Sequence, residues 1–253
     1  MSLDAHKLKW IAIVGMITNH GVFALREVIP FALQFPLYAL GGLTFPIMAF
    51  FVVEGYKHTK SLGRYIGRLA IFGALSQIPY MLALRLMQLN IMFTIILGLL
   101  LLLAYDKIKS RVLFGLVFVV VLLVSLVFDW AVVGVLTIFL YRAIKNEGRR
   151  RTLPGIVAGL FMLGNSLMLI LTYDNPAMRA QLANMGMDFN FVLVGTSFIV
   201  GCFAAAFLVR GYNGERGKRI KWAFYLAYPL HLAVLAAIAL ALGLVSLESM
   251  LPI

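Results

Sequence analysis

The chain has 253 residues, 62% of them apolar and only 13% charged, with a mean hydropathy of +0.97; this excludes an ordinary soluble domain and leaves a single integral membrane domain over residues 1–253. The formal charge is +12 at pH 7, yet the basic residues punctuate apolar runs instead of gathering on one polar face, so membrane topology accounts for them and nucleic acid is excluded as a partner. The one cysteine, Cys202, lies inside an apolar run, which rules out an intramolecular disulfide and marks the thiol as a packing group.

Apolar runs predict an all-α, polytopic bundle of about nine transmembrane helices. In chain order they span 8–25, 41–56, 64–84, 90–105, 111–127, 130–145, 153–172, 189–209 and 222–245. The first has a basic start like a signal peptide, but Asn19-His20 interrupts it and no small-residue cleavage site follows, so it reads as a retained span. Residues 26–40, with Pro30 and Pro36, are apolar but broken, and fit a loop, an interfacial helix or a re-entrant stretch. Residues 173–188 form the longest connection and have room for a short surface helix.

Alternate connections collect nineteen of the 22 Lys and Arg residues, and the opposite ones hold only Arg26, Arg85 and Arg179 together with Glu27, Asp129, Asp174, Asp188 and Glu248. By the positive-inside rule the N-terminus is cytoplasmic and the chain is a multi-pass protein of the cytoplasmic membrane.

Two histidines fall within spans. His20 lies thirteen residues after Lys7, about 20 Å along a helix and beyond the midplane of a core about 30 Å thick. His231 lies ten residues after Lys221, near the middle. An ionisable group at such depth is a functional candidate, although His20 with Asn19 also fits interhelical hydrogen bonding. His231 follows Tyr228-Pro229 and also fits the repair of a proline kink. At the inner end of the second span, Glu54, Lys57, His58 and Lys60, followed by Arg64 and Arg68, make a cationic mouth in which Glu54 could pair with the arginines. Glu54 and His58 supply only two metal donors, so no metal site is expected. Gln77, Asn90, Thr94 and Asn165 fit hydrogen bonding between helices as well as substrate contact.

The stretch Phe45-Pro46-Ile47-Met48 through Glu54-Gly55-Tyr56-Lys57-His58-Thr59, then Arg64-Tyr65 and Arg68-Leu69, resembles the TraX family. Ser76-Gln77-Ile78-Pro79-Tyr80, Asn90-Ile91-Met92-Phe93-Thr94 with Gly98, Tyr228-Pro229-Leu230-His231, and Lys9-Trp10-Ile11-Ala12 through His20-Gly21 extend the resemblance. Residues from about 105 to 220 match only as apolar helices. The founding activity of that family is acetylation of the N-terminus of F-type pilin. It is similar to the wider transmembrane acyltransferases, in which a basic residue and a histidine eleven positions later share the first span, as Lys9 and His20 do here. The chain departs from the pattern at Asn19, where Asp is frequent, at Gln77, where Glu is frequent, and at Gly41-Gly42, where an Arg commonly precedes the Phe-Pro-Ile stretch.

The resemblance implies acetyl-CoA as acyl donor, used from the cytoplasm, and an acceptor amine or hydroxyl on an exported peptide, a pilin or a surface glycan. Lys9, Glu54, Lys57, His58, Lys60, Arg64 and Arg68 are the expected CoA-binding group, because several phosphate charges need a cationic cradle. His20 is the expected general base, Asn19 its orienting neighbour or a carbonyl polariser, and His231 a second catalytic group. Gln77, Asn90 and Tyr228 are expected at the acceptor. The rival class is a proton- or ion-coupled transporter, in which the same buried histidines would carry the coupling.

Overall fold

The computed structural model describes residues 2–184, 187–218 and 221–245. Among them the fold is all-α, with no strand beyond two isolated bridges. The helices are α1 (Ala5–Leu25), α2 (Phe31–Gly41), α3 (Thr44–His58), α4 (Leu62–Leu84), α5 (Ile91–Lys107), α6 (Arg111–Ser125), α7 (Ala131–Ala143), α8 (Glu147–Thr172), α9 (Pro176–Asn184), α10 (Phe189–Gly195), α11 (Phe198–Arg210) and α12 (Lys221–Ala241). Of the residues used to read the orientation, Arg219 and Glu248 lie outside the described residues.

Helix starts follow local chemistry. The side chains of Asp4, Ser61, Asn90, Ser110, Asn146 and Asp188 each accept a hydrogen bond from a first-turn backbone N–H of the helix they precede. Short polar groups at this position replace the carbonyl partners that the first turn lacks.

Every apolar run read from the sequence is helical, but the count of crossings is corrected. Among the described residues five segments are long and apolar enough to cross a membrane: Ala5–Leu25, Phe31–His58, Leu62–Leu84, Glu147–Thr172 and Phe189–Arg210. Helices α6 and α7 are apolar but have 15 and 13 residues, and the apolar part of α12, Tyr225–Ala241, is also short. Fifteen residues rise about 22 Å, less than a hydrocarbon core of about 30 Å. The broken stretch at 26–40 resolves into α2, which runs through Gly42-Leu43 into α3 and lengthens the second segment to 28 residues. The long connection at 173–188 contains the surface helix α9.

Apolar side chains on α4 and α6, including Ile71, Leu75, Ile78, Val112, Leu116 and Leu123, are exposed. They suit a lipid environment, in which burial of apolar surface no longer drives helices together and close backbone packing must do so. The closest approach is between the α2–α3 junction and α11: a Cβ placed on Gly42 would collide with the Phe198 carbonyl, and one on Gly201 with the Ala39 carbonyl. Helix α1 lies between α2, α3, α4 and α12, so its buried face forms the wall of whatever these helices enclose. Gly201→Val should therefore lower thermal stability in detergent by about 1–3 kcal/mol through overpacking. Gly164→Ala, where an added Cβ meets nothing within 4 Å, should leave stability equal or slightly raised.

Candidate functional site

The two histidines within the apolar runs form one pair in space. His20 on α1 and His231 on α12, both buried, lie with Nδ1 of His20 2.7 Å from Nε2 of His231, their rings stacked 5.0 Å apart at 13°. Nδ1 of His231 is 2.7 Å from the Ala227 carbonyl oxygen. A carbonyl only accepts, so Nδ1 of His231 carries the proton. With both rings neutral, Nε2 of His231 is then an acceptor and Nδ1 of His20 donates to it. The chain of bonds leaves Nε2 of His20 as a bare lone pair. His231 bonds to Ala227, whereas the carbonyl that Pro229 deprives of its helical N–H belongs to Tyr225, so the imidazole is not a simple repair of the kink.

His20 faces a cavity of about 70 Å³, room for several waters where one needs roughly 10–15 Å³. Ala12, Ile13, Met16, Asn19 and His20 of α1 form one wall, so the cavity follows the helix for eight residues from the level of Ala12 to His20, about 12 Å. Thr44, Phe45 and Met48 of α3, the first turns of α5 and Tyr228 of α12 add to it, with Gly41, Asp129, Trp130 and Phe198. One buried polar atom at the cavity, Oδ1 of Asn19, has no hydrogen-bond partner among the described residues. Unsatisfied buried groups of this kind are rare and call for an occupant. Asn19 contributes to the cavity wall and packs across Gly41; the group that orients His20 is His231, since neighbours in sequence on a helix do not face each other.

The structure brings Tyr228 to the site but separates the other two expected acceptor residues from it. Oε1 of Gln77 accepts from the backbone N–H and side-chain amide of Asn90, and its own amide donates to the Gln88 carbonyl. Asn90 also donates to the Gly73 carbonyl and caps α5 through the Met92 N–H. With their polar atoms so used, both lock the α4–α5 junction.

The cationic mouth is rearranged in the same way. Glu54 pairs with Lys57 at 3.0 Å and with Arg150 of α8 at 3.1 Å, with His58 at 3.8 Å. Arg150 takes the partner role that the sequence reading offered to Arg64 and Arg68. Lys57 and Lys60 line an open hollow with Arg142, where Asp106 is held by Arg142 and by the Tyr56 hydroxyl. Arg68 lies against the rings of Tyr65 and Tyr225 near α12, and Arg64 is exposed. The Lys9 ammonium sits 4.9 Å from the centre of the Phe51 ring.

One cavity residue was not anticipated. Asp129, in the connection between α6 and α7, lines the cavity with Trp130. Its Oδ1 accepts from the Trp130 backbone N–H at 2.9 Å and from Gln88 Nε2 at 3.4 Å. Thr94 donates to the Asp129 carbonyl, and the Asp129 N–H donates to Leu89 at 2.7 Å. Burial pushes the Asp129 carboxyl above the usual carboxylate range, against the Trp130 bond that lowers it. The sequence signal is a lone carboxylate in the apolar run Leu126-Val127-Phe128-Asp129-Trp130-Ala131.

A family model described as TraX protein matches residues 4–239. A curated relative, the probable fimbrial assembly protein FimC, serogroup H1, of Dichelobacter nodosus, is 26% identical over 261 residues, covering 94% of this chain and 96% of its own. No solved structure matches. The lock at the α4–α5 junction predicts that Asn90→Ala lowers thermal stability in detergent by about 1–3 kcal/mol or more, because it strands buried partners; a residue that only contacted substrate would leave the melt where it was.

Proposed function

Because the chain belongs to the TraX family, its model spanning residues 4–239, we propose that it is a membrane acetyltransferase taking its acetyl group from cytoplasmic acetyl-CoA. The acceptor is an amine or hydroxyl on an exported molecule, and the fimbrial relative favours a pilin-type N-terminus. In this reading the chain is multi-pass in the cytoplasmic membrane. Helices α2–α3 and α10–α11 each count as one crossing, and the N-terminus is cytoplasmic by the distribution of Lys and Arg.

The observation that carries the proposal is the His20–His231 pair beside a cavity onto whose wall Asn19 brings an unsatisfied oxygen. A nucleophile attacking a thioester must lose a proton, and the lone pair of His20 Nε2 is placed to receive it. As His20 becomes an imidazolium, its Nδ1–H bond to His231 becomes charge-assisted and strengthens. The interaction is thus larger in the transition state than in the ground state, which is the condition for catalysis. The Tyr228 hydroxyl and the Asn19 side chain, both reaching the same cavity, are the groups available to the thioester carbonyl and the acceptor.

The CoA phosphates belong at the other end. Lys9 precedes His20 by eleven residues, about 16 Å along α1. The cavity already reaches Ala12, one turn from Lys9. Lys57, Lys60 and Arg142 around their hollow, with Arg68 by Tyr225, supply the positive charge at that end. Glu54 acts here by holding Lys57 and Arg150 in place, with His58 beside it at 3.8 Å.

Labelled acetyl-CoA supplied to the purified protein with peptide acceptors tests the proposal. His20→Ala should lower transfer by about 10²–10⁴-fold, as loss of a general base does. His231→Ala should lower kcat by about ten- to a hundredfold, which corresponds to a charge-assisted bond of about 1.5–3 kcal/mol. Undiminished transfer by His20→Ala would remove the pair from the mechanism, and solute flux in liposomes without any acetyl-CoA would favour a transporter.

A further inference from the structure

The acid–base pair and the cationic end leave Asp129 unused. Among the described residues it is the only carboxylate on the cavity wall, and no Lys or Arg lines that wall. The ionisable groups that face it electrostatically are Tyr38 of α2, Tyr80 of α4 and Tyr228 of α12, and His20 of α1 shares the cavity. None of the three tyrosines is a cation. A carboxylate in an apolar enclosure without a counter-charge is costly, and is tolerated where a ligand supplies the charge.

Its surroundings match one kind of ligand. Trp130 stacks on Phe45 at 4.2 Å between ring centres and meets Phe198 at 5.7 Å, and all three rings line the cavity with Tyr228. Aromatic faces beside an anion form a site for an alkylammonium. The turn that presents the carboxylate is also strained: Trp130 and Ala131 have φ of 60° and 33°, unusual for residues with a Cβ. Bonds from Gln88, Thr94 and the Trp130 N–H, and from the Asp129 N–H to Leu89, hold this conformation in place. Asp129 is on the acidic side of the chain, where Glu27, Asp174 and Asp188 also lie, opposite the end rich in Lys and Arg.

We infer that Asp129 is the specificity-determining residue for the acceptor, receiving it as an ammonium and selecting amines over hydroxyls. The inference rests on the acetyltransferase reading of the same cavity. The proton balance explains the need for a second base. An acceptor arriving as R–NH₃⁺ must lose one proton before its nitrogen has a lone pair, and that proton goes to the Asp129 carboxylate. The lone pair then forms the N–C bond to the thioester carbonyl carbon, and the second proton passes to Nε2 of His20. The C–S bond breaks with its electron pair on the CoA sulfur, which takes the proton from His20. The products are the acetamide, the CoA thiol and one proton on Asp129 that leaves with the product. A hydroxyl acceptor has only one proton to lose and needs only His20.

The test uses the full-length protein in detergent and two peptides, one with a free α-amine at a small first residue and one in which a hydroxyl replaces that amine. Equilibrium dialysis of each labelled peptide, and steady-state transfer from acetyl-CoA, are measured for wild type, Asp129→Asn and Asp129→Glu. Wild type should bind the amine peptide more tightly than the hydroxyl one. Asp129→Asn should raise Kd and KM for the amine at least about thirtyfold, the loss expected for a buried charge partner, and reduce the preference. Asp129→Glu should restore part of it, which a merely structural role would not allow. The Asp129→Asn deficit should also shrink as pH rises past the α-amine pKa of about 8, because the amine then arrives neutral. Equal binding of the two peptides by wild type, or an equal loss for both in Asp129→Asn, overturns the inference while leaving the acetyltransferase reading intact. Amine-selective, Asp129-dependent binding without any transfer would instead sustain the inference about the site and count against acetyl transfer.

Discussion

The hydrogen bond between His20 and His231 depends on a third atom, the Ala227 carbonyl oxygen, which can only accept. That one constraint sets the proton on Nδ1 of His231, then on Nδ1 of His20, and leaves the remaining nitrogen unprotonated. Two helices more than two hundred residues apart in sequence must be held in register for this chain of bonds to exist. The close packing of α1 against α2, α3, α4 and α12 supplies that register. In a lipid environment such packing rests on small residues and interhelical hydrogen bonds, and the tight glycine contact between the α2–α3 junction and α11 is of this kind.

Charge is distributed by function along the same axis. At the end rich in Lys and Arg, carboxylates serve basic residues: Glu54 and Glu147 hold Arg150, and Asp106 holds Arg142. These pairs keep long side chains ordered around an open hollow while the net charge there stays positive. In the cavity beside His20 the arrangement is inverted, with a carboxylate that has hydrogen-bond donors but, among the described residues, no Lys or Arg on the same wall. The basic hollow and the cavity beside His20 thus carry opposite charge, and among the described residues no Lys or Arg lines the cavity wall.

The departures from the TraX pattern also gain a physical account. Asn19 adds an unsatisfied oxygen to the cavity wall, and the orienting partner of His20 is a residue on another helix. Gly41 gives the Asn19 side chain space to lie across the α2 backbone. Gln77 offers a neutral oxygen to two donors of Asn90 and an amide to Gln88, a double role that a carboxylate could not fill because it has no N–H to donate.

Hydropathy alone determined that the chain is a helical membrane protein, where its apolar segments lie, and that His20 and His231 are buried, because the energy of placing polar groups in lipid depends on local composition. Motif spacing located Lys9, His20 and the basic run from Lys57 to Arg68 for the same reason, as all are local along one or two helices. Only the tertiary structure decided that the two histidines share a hydrogen bond, that Gln77 and Asn90 belong to a junction, and that Arg150 is the main partner of Glu54 from another helix. It also turned Asp129 from a charge in a connection into a wall of the cavity. Each of these depends on contacts between residues far apart in sequence, and neither periodicity nor composition carries information about which helix packs beside which.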